Sequence, residues 1–292
     1  MSCSRVAFSL VCLTAGVARR FRYVIADVFT NTPLQGNPLA AFTDARDIPE
    51  EMLQKIAREL NLSETVFCYP PEAGGHVRLR IFTPAAEVPF AGHPCLGTAF
   101  VLAAPLQLVE IVLETGNGLV PVRLDREGPR IVFGRMEQPT PTIEDFGGAA
   151  ELQDVLGVQA ELPVELYDNG IRHVLVALAS AEAVAALRPS SQALADFGPI
   201  GVSCFAHEER HWRTRMFAPG LGVPEDPATG SAAGPLALHL ARHGRIAFGD
   251  EIEIVQGVEI GRRSTLFARA EENGPIEVGG AAVVVARGEF QL

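Results

Sequence analysis

The chain has 292 residues, enough for one large domain or two ordinary ones, and 48% hydrophobic residues with 28 Gly and 21 Pro describe a globular protein rich in turns. A net charge of −11 and a single lysine, Lys55, leave no basic face, which argues against nucleic acid or an anionic membrane as partner. Cys3, Cys12, Cys68, Cys95 and Cys204 are odd in number, scattered and without a C-x-x-C pair, so they point to neither a disulfide framework nor a zinc ribbon and fit a reducing compartment, the cytoplasm.

Residues 1–20 stand apart: Arg5 followed by an apolar run from Val6 to Ala18 has the form of a signal-peptide start, too short to span a bilayer and with a poor cleavage site. A loose extension or upstream leader accounts for them equally well, and they are set aside from the fold. The first convincing strand is FRYVIADVF (21–29); a turn-rich TNTPLQGNP and a second strand, LAAF, follow. Asp47 to Glu51 opens a helix, with Pro49 in its first turn, acids near its positive end, and Leu53, Ile56, Ala57 and Leu60 at helical spacing. Next come the strand ETVFCY, a Pro/Gly turn and the alternating strand HVRLRIF. Gly92-His93-Pro94 leads into an apolar helix, CLGTAFVLAA, whose composition predicts burial. LVEIVLET and LVPVRL flank Gly116-Asn117-Gly118 as a hairpin. Many strands with few helices read as a mixed α+β protein.

An internal repeat organises the rest. Arg80-Ile81-Phe82-Thr83-Pro84 precedes the Gly92-His93 loop, and Arg215-Met216-Phe217-Ala218-Pro219 precedes the Gly230-Ser231 loop. In each copy a strand ends at R-[I/M]-F-x-P, then a Pro-rich loop and a Gly-polar pair open a helix of small residues. Gly92 and Ala99 match Gly230 and Ala237 at the same interval. Two pseudo-equivalent halves follow, each presenting the N-terminus of a buried helix. Two such ends facing across a cleft would receive a carboxylate or a developing oxyanion.

Three segments carry possible chemistry. In Leu62-Ser63-Glu64-Thr65-Val66-Phe67 a carboxylate heads an apolar strand; desolvated, it would trade protons near neutral pH. From this segment alone, a solvated strand-end Glu is the leading reading. His93 could bond substrate or relay a proton, or be a structural histidine at or just before the helix cap. Glu225 to Gly234 crowds a carboxylate, two hydroxyls and free N–H groups into one turn; capping by Asp226 or Thr229 explains one polar residue and leaves the crowd unexplained.

The stretches DVFTNTPLQGNPLAAF, LNLSETVF, RIFTPAAEVPFAGHPCLGTA, EDPATGSAAGPLA and GRRS, in this order, resemble the motif series of the PhzF-like phenazine-biosynthesis family, from about residue 22 to the C-terminus. The resemblance implies a diaminopimelate-epimerase-like fold: two pseudo-repeated halves, each a central helix wrapped by mixed β-sheet. It divides the chain into an N-terminal half, 21–134, with a returning strand at 281–292, and a C-terminal half, 135–280. It implies an isomerase without metal or organic cofactor, a homodimer, shifting a proton within a small unsaturated or cyclic carboxylic acid. The family's acid/base glutamate falls on Glu64, its histidine on His93, and its aspartate and serine on Asp226 and Ser231. Ser63, Gly92, Gly170, Thr229 and Gly230 would contact substrate. At Asp168-Asn169-Gly170 relatives often carry Thr-Gly; Asn169 departs from that pattern, so the namesake's dihydro-hydroxyanthranilate is not carried across here. Epimerases of this fold use two thiols, and TGSAAG contains no Cys.

Two signals point elsewhere. His207-Glu208-Glu209-Arg210-His211 matches H-E-x-x-H, but a zincin needs that motif on a helix, and here it joins two strands as a polar hairpin. His239 and His243 are also four apart, with one expected at an exposed helix end. The competing classes are a non-catalytic relative binding a small acid or a protein in the same cleft and, behind it, a zinc hydrolase.

Overall fold

The computed structural model describes residues 19–292, so the leader lies, up to residue 18, outside the described residues; Arg20 already belongs to the first strand. β1 (Arg20–Val28) and β2 (Asn37–Phe42) pair antiparallel, and α1 (Glu50–Leu60) crosses to β3 (Glu64–Tyr69), parallel to β2. β4 (Val77–Phe82) runs back along β3 and carries the short β5 (Glu87–Val88). After α2 (Gly92–Leu106), β6 (Glu110–Thr115) lies parallel to β4, and β7 (Gly118–Glu127) and β8 (Arg130–Gln138) follow antiparallel.

β9 (Thr142–Asp145) and α3 (Ala149–Leu156) lead into the same plan again. β10 (Glu165–Asp168) pairs antiparallel with β11 (Arg172–Ala177), and α4 (Ala181–Ala186) and α5 (Ser191–Ala195) cross to β12 (Gly201–Glu208), parallel to β11. β13 (His211–Ala218) runs back along β12 and carries the short β14 (Val223–Asp226). After α6 (Gly230–Arg242), β15 (Ile252–Gln256) lies parallel to β13, followed antiparallel by β16 (Ser264–Ala270) and β17 (Ile276–Gly280). β18 (Ala282–Gln291) pairs with β1, and β17 pairs with β8, so the sheets close on each other. The succession of parallel and antiparallel pairings thus occurs twice. Position 134 lies inside β8, which pairs with both halves.

Sequence explains the helices. α1 has Glu50 and Glu51 in its first turn, Arg58 in its last, and buries Leu53, Ile56 and Ala57. Pro49 is its cap residue instead of a first-turn residue, because its ψ of 139° is not helical. α2 is buried without a break from Gly92 to Phe100 and α6 from Gly230 to Ala237, so neither has a polar face; each lies inside its sheet. Residues of both helices share one core cluster, while α3 to α5 and α1 cover two smaller ones. Among the described residues no helix is long and apolar enough to cross a membrane.

Candidate active site

The buried helices meet end to end. A Cβ placed on Gly92 would sit 2.6 Å from the carbonyl carbon of Gly230 and 2.6 Å from the nitrogen of Ser231, both backbone atoms. Only the bare Gly92 backbone lets the ends approach this closely. Neither end receives a side-chain cap: Ala91 has nothing to offer, and Thr229 points its hydroxyl elsewhere. Capping therefore does not explain the polar crowd at 225–234, and the first N–H groups of both helices stay free of intrahelical partners.

A cleft of about 420 Å³, counting the space at its mouth, opens beside this junction. Glu64, Gly92, His93, Asp226, Thr229, Gly230 and Ser231 all line it. Ser63 and Gly170, expected to contact substrate, are not among the residues lining it. Ser63 Oγ donates to Asp226 Oδ1 at 2.9 Å, and Gly170 forms a turn with φ +110°, its N–H donating to Asp168 Oδ1.

Glu64 begins β3, yet its side chain is only 12% exposed, so the solvated strand-end reading gives way. The enclosing wall comes from the other half, out of reach of any local pattern. Its Oε2 lies 3.4 Å from His93 Nε2, longer than an ordinary hydrogen bond, and neither atom has a hydrogen-bond partner. His93 is the second residue of α2, two positions past the cap residue Ala91, and burial pushes its imidazole down to about 3 against an opposing backbone hydrogen bond with Pro38. The ring is neutral. Burial, then the nearby Asp226 charge, raises Glu64 well above the usual carboxylate range. Burial also lifts Asp226 to about 6, opposed by three hydrogen bonds to its ionised form. Those bonds come from Thr229 Oγ1 at 2.6 Å, Asn37 Nδ2 at 2.8 Å and Ser63 Oγ.

Several residues of the site carry no local signal in the sequence. Gln256 Nε2 donates to the Asp226 carbonyl and to Thr229 Oγ1, fixing the loop before α6. Gln138 Nε2 and Asn169 Nδ2 donate to the carbonyls of Gly230 and Ser231, anchoring the helix start. His173, buried on β11, lines the cleft with its Nε2 2.9 Å from Ser231 Oγ. Each partner is distant in sequence, and alternation along a strand marks only the core.

The two remaining histidine motifs have other partners. His207 and His211 lie on adjacent strands of the β12–β13 hairpin, where His207 faces Trp212 and His211 bonds Glu208. His239 and His243 instead converge with Glu165, within 4.8 Å of one another, the one such group among the described residues. Neither is freely exposed: His239 is fully buried and His243, at the end of α6, is only partly open, because β10 brings Glu165 against the helix. Glu165 Oε2 also accepts from Tyr167 and Arg242, so that its charge is already paired. Buried Cys68, Cys95 and Cys204 are pushed up to about 12, far from thiolate chemistry.

Comparison with known proteins gives the family and the fold. A family model described as phenazine biosynthesis-like protein matches residues 26–288. The trans-2,3-dihydro-3-hydroxyanthranilate isomerase of Pseudomonas aeruginosa is 51% identical over 276 residues, 93% of this chain and 99% of that protein. The solved phenazine biosynthesis protein of the PhzF family from Bacillus anthracis is similar with a TM-score of 0.80 at 25% identity, over 94% of this chain and 100% of that one. A hydroxyproline epimerase from Agrobacterium vitis, TM-score 0.64 at 12% identity over 95% and 93% of the two chains, shares the fold alone. The fold is therefore α+β of the diaminopimelate-epimerase type, and the chain belongs to the phenazine biosynthesis-like protein family.

Proposed function

We propose that this protein is a cofactor-independent isomerase that moves a proton between two carbons of a small cyclic carboxylic acid, with trans-2,3-dihydro-3-hydroxyanthranilate as its substrate. The substrate is that named for the relative sharing 51% identity over nearly the whole chain, and this similarity outweighs the departure at Asn169. The observation that supports the chemistry is Glu64: a nearly buried carboxylate whose Oε2 has no partner and faces the cleft beside His93 Nε2. Leaving such a group unpaired is unfavourable, and a module that only held an acid would gain nothing from it. A carboxyl raised well above its usual range holds a proton more readily and, once ionised, is a stronger base than an exposed one. Glu64 removes a proton from one ring carbon and returns it to another, so atoms and electrons balance with nothing consumed.

His93 and Asp226 flank that proton path and hold the ring substituents, while Ser231 and the two helix ends receive the carboxylate and the charge that develops on the ring. Ser63 and Thr229 act through Asp226, and Gly92, Gly170 and Gly230 shape the backbone around the ligand. The same reading takes residues 21–134 with 281–292 as one half and 135–280 as the other, in a cytoplasmic homodimer that meets neither nucleic acid nor membrane.

The test is exchange in heavy water, with the dihydro-hydroxyanthranilate among a panel of small cyclic and unsaturated acids, followed by NMR for deuterium entering carbon. Wild type should incorporate it, and Glu64→Gln should lose roughly 10²–10⁴-fold in rate. Equal incorporation by both would move the base to another residue. No incorporation by folded protein that still binds one of the acids would instead favour a binding module.

A further inference from the structure

Ser231 and His173 form a buried pair whose polarity is set by their surroundings. His173 Nε2 lies 2.9 Å from Ser231 Oγ. The other ring nitrogen, Nδ1, is buried with no partner. It packs against Gly201, its neighbour across the parallel β11–β12 register, where a Cβ would come within 2.8 Å of it. Burial holds the ring down at about 4, against a smaller opposing effect of Asp168, so it is neutral and carries one proton.

The position of that proton decides what Ser231 offers the cleft. With the proton on Nδ1, a buried N–H would have no acceptor, an arrangement that folded proteins rarely tolerate. Ser231 would then donate to Nε2 and present only lone pairs to an arriving anion. With the proton on Nε2, the imidazole donates to Ser231 Oγ, and the serine's own hydrogen is free to point into the cleft. Donation into Oγ also polarises that hydroxyl. The geometry tells against the rival role for a Ser–His pair, a nucleophile with its general base. That role needs a bare Nε2 and a third group orienting Nδ1–H, and Nδ1 has no partner here.

We infer that His173 is a positioning residue that commits the Ser231 hydroxyl to donating into the cleft, making that end of the site a receptor for the substrate carboxylate. The inference rests on the isomerase reading for the identity of the anion, but its tautomer holds or fails independently.

Two measurements test it. In 15N-labelled wild-type protein, His173 resonances (assigned by their loss in His173→Gln) should show the proton on Nε2 and a bare Nδ1 at neutral pH. A proton on Nδ1 would overturn the inference, as would covalent capture of Ser231 by a fluorophosphonate, which would mark it as a nucleophile. Calorimetry with 3-hydroxyanthranilate, the unreactive aromatic analogue, should show about tenfold weaker binding by His173→Leu, the size of one hydrogen bond. His173→Gln, which keeps an N–H near Nε2, should recover most of the loss. In 3-hydroxyanthranilamide, which lacks the anion, the leucine effect should largely vanish. Equal binding of the acid by His173→Leu and wild type would sink the idea even with the expected tautomer. Should the leucine variant not fold, the wild-type tautomer decides. Wild-type protein with the Nε2 proton that binds no anthranilate would instead bring down the substrate assignment, and the carboxylate-receptor role with it.

Discussion

The two copies of the repeat agree behind the cleft and differ in front of it. Behind, Arg80 on β4 pairs with Glu87 on β5, and Arg215 on β13 pairs with Glu225 on β14; each guanidinium also lies over the phenylalanine two residues on, at 5.2 Å from Phe82 and 4.9 Å from Phe217. In front, the first copy offers a neutral His93 facing Glu64, and the second an Asp226 satisfied by three donors, with Ser231 and His173 alongside. The clamp and the glycine at each helix start are demanded by backbone geometry, so duplication keeps them. The cleft-facing positions answer to a ligand that is not symmetric, so they diverge: a proton-transfer pair on one side, hydrogen-bonding groups on the other.

The largest expected effect would break the contact that joins the copies. Gly92→Ala drives a methyl into the Gly230–Ser231 backbone at 2.6 Å, where no side chain can swing away. Misplacing reacting groups by about 1 Å can remove roughly 100-fold in rate, and strain of this kind costs about 3 kcal/mol. The mirror change, Gly230→Ala, meets the Phe29 ring at 2.9 Å and the Gly92 backbone only at 3.1 Å. A ring can tilt, so the loss in kcat/KM should be smaller. Equal losses would mean that the helix ends contribute symmetrically, and that the close approach is not what Gly92 is for.

The clamps offer a second contrast. The Arg215 side chain is 6% exposed and its guanidinium also donates to the carbonyl of Leu187, whereas the acids around Arg80 are 72% and 42% exposed. Arg215→Ala strands Glu225 in a largely dry site and should lower unfolding stability by about 3 kcal/mol; Arg80→Ala should lower it by about 1 kcal/mol or less. Denaturant titration of the two variants measures the difference.

The duplication was legible in the sequence because it recurs as R-[I/M]-F-x-P and as glycine-led helices, both short-range patterns. The cleft residues Glu64, His93, Asp226 and Ser231 became legible through family motifs. The fate of Glu64 did not, since the strand-start pattern is that of a solvated acid and its cover comes from β14 in the other half. His173 stayed hidden because its partner Ser231 lies 58 residues away and its strand reads as core. His239 and His243 were visible as a spacing, but the Glu165 that explains them is 74 residues from His239.

The smallest expected effect sharpens the comparison through pH. His93 in the first copy is depressed from 6.5 to about 3, so its contribution to stability is complete above 6.5 and drains as pH falls toward 3. Asp226 in the second copy is raised from 3.8 to about 6, so its contribution is complete below 3.8 and is lost as pH rises through 6. Between pH 5 and pH 8 the two oppose each other: raising pH gains stability through His93 and loses it through Asp226. Buried His173 and His239, both depressed to about 4, add to the first trend. Glu64, raised well above the usual carboxylate range, adds to the second, so the wild-type slope is the difference between the two groups of residues. Relative to wild type, His93→Gln should make stability gain less with rising pH and Asp226→Asn should make it gain more, as read from unfolding midpoints at matched ionic strength. Should both variants shift the slope the same way, the two helix ends would not be the oppositely tuned environments that their burial and hydrogen bonds describe.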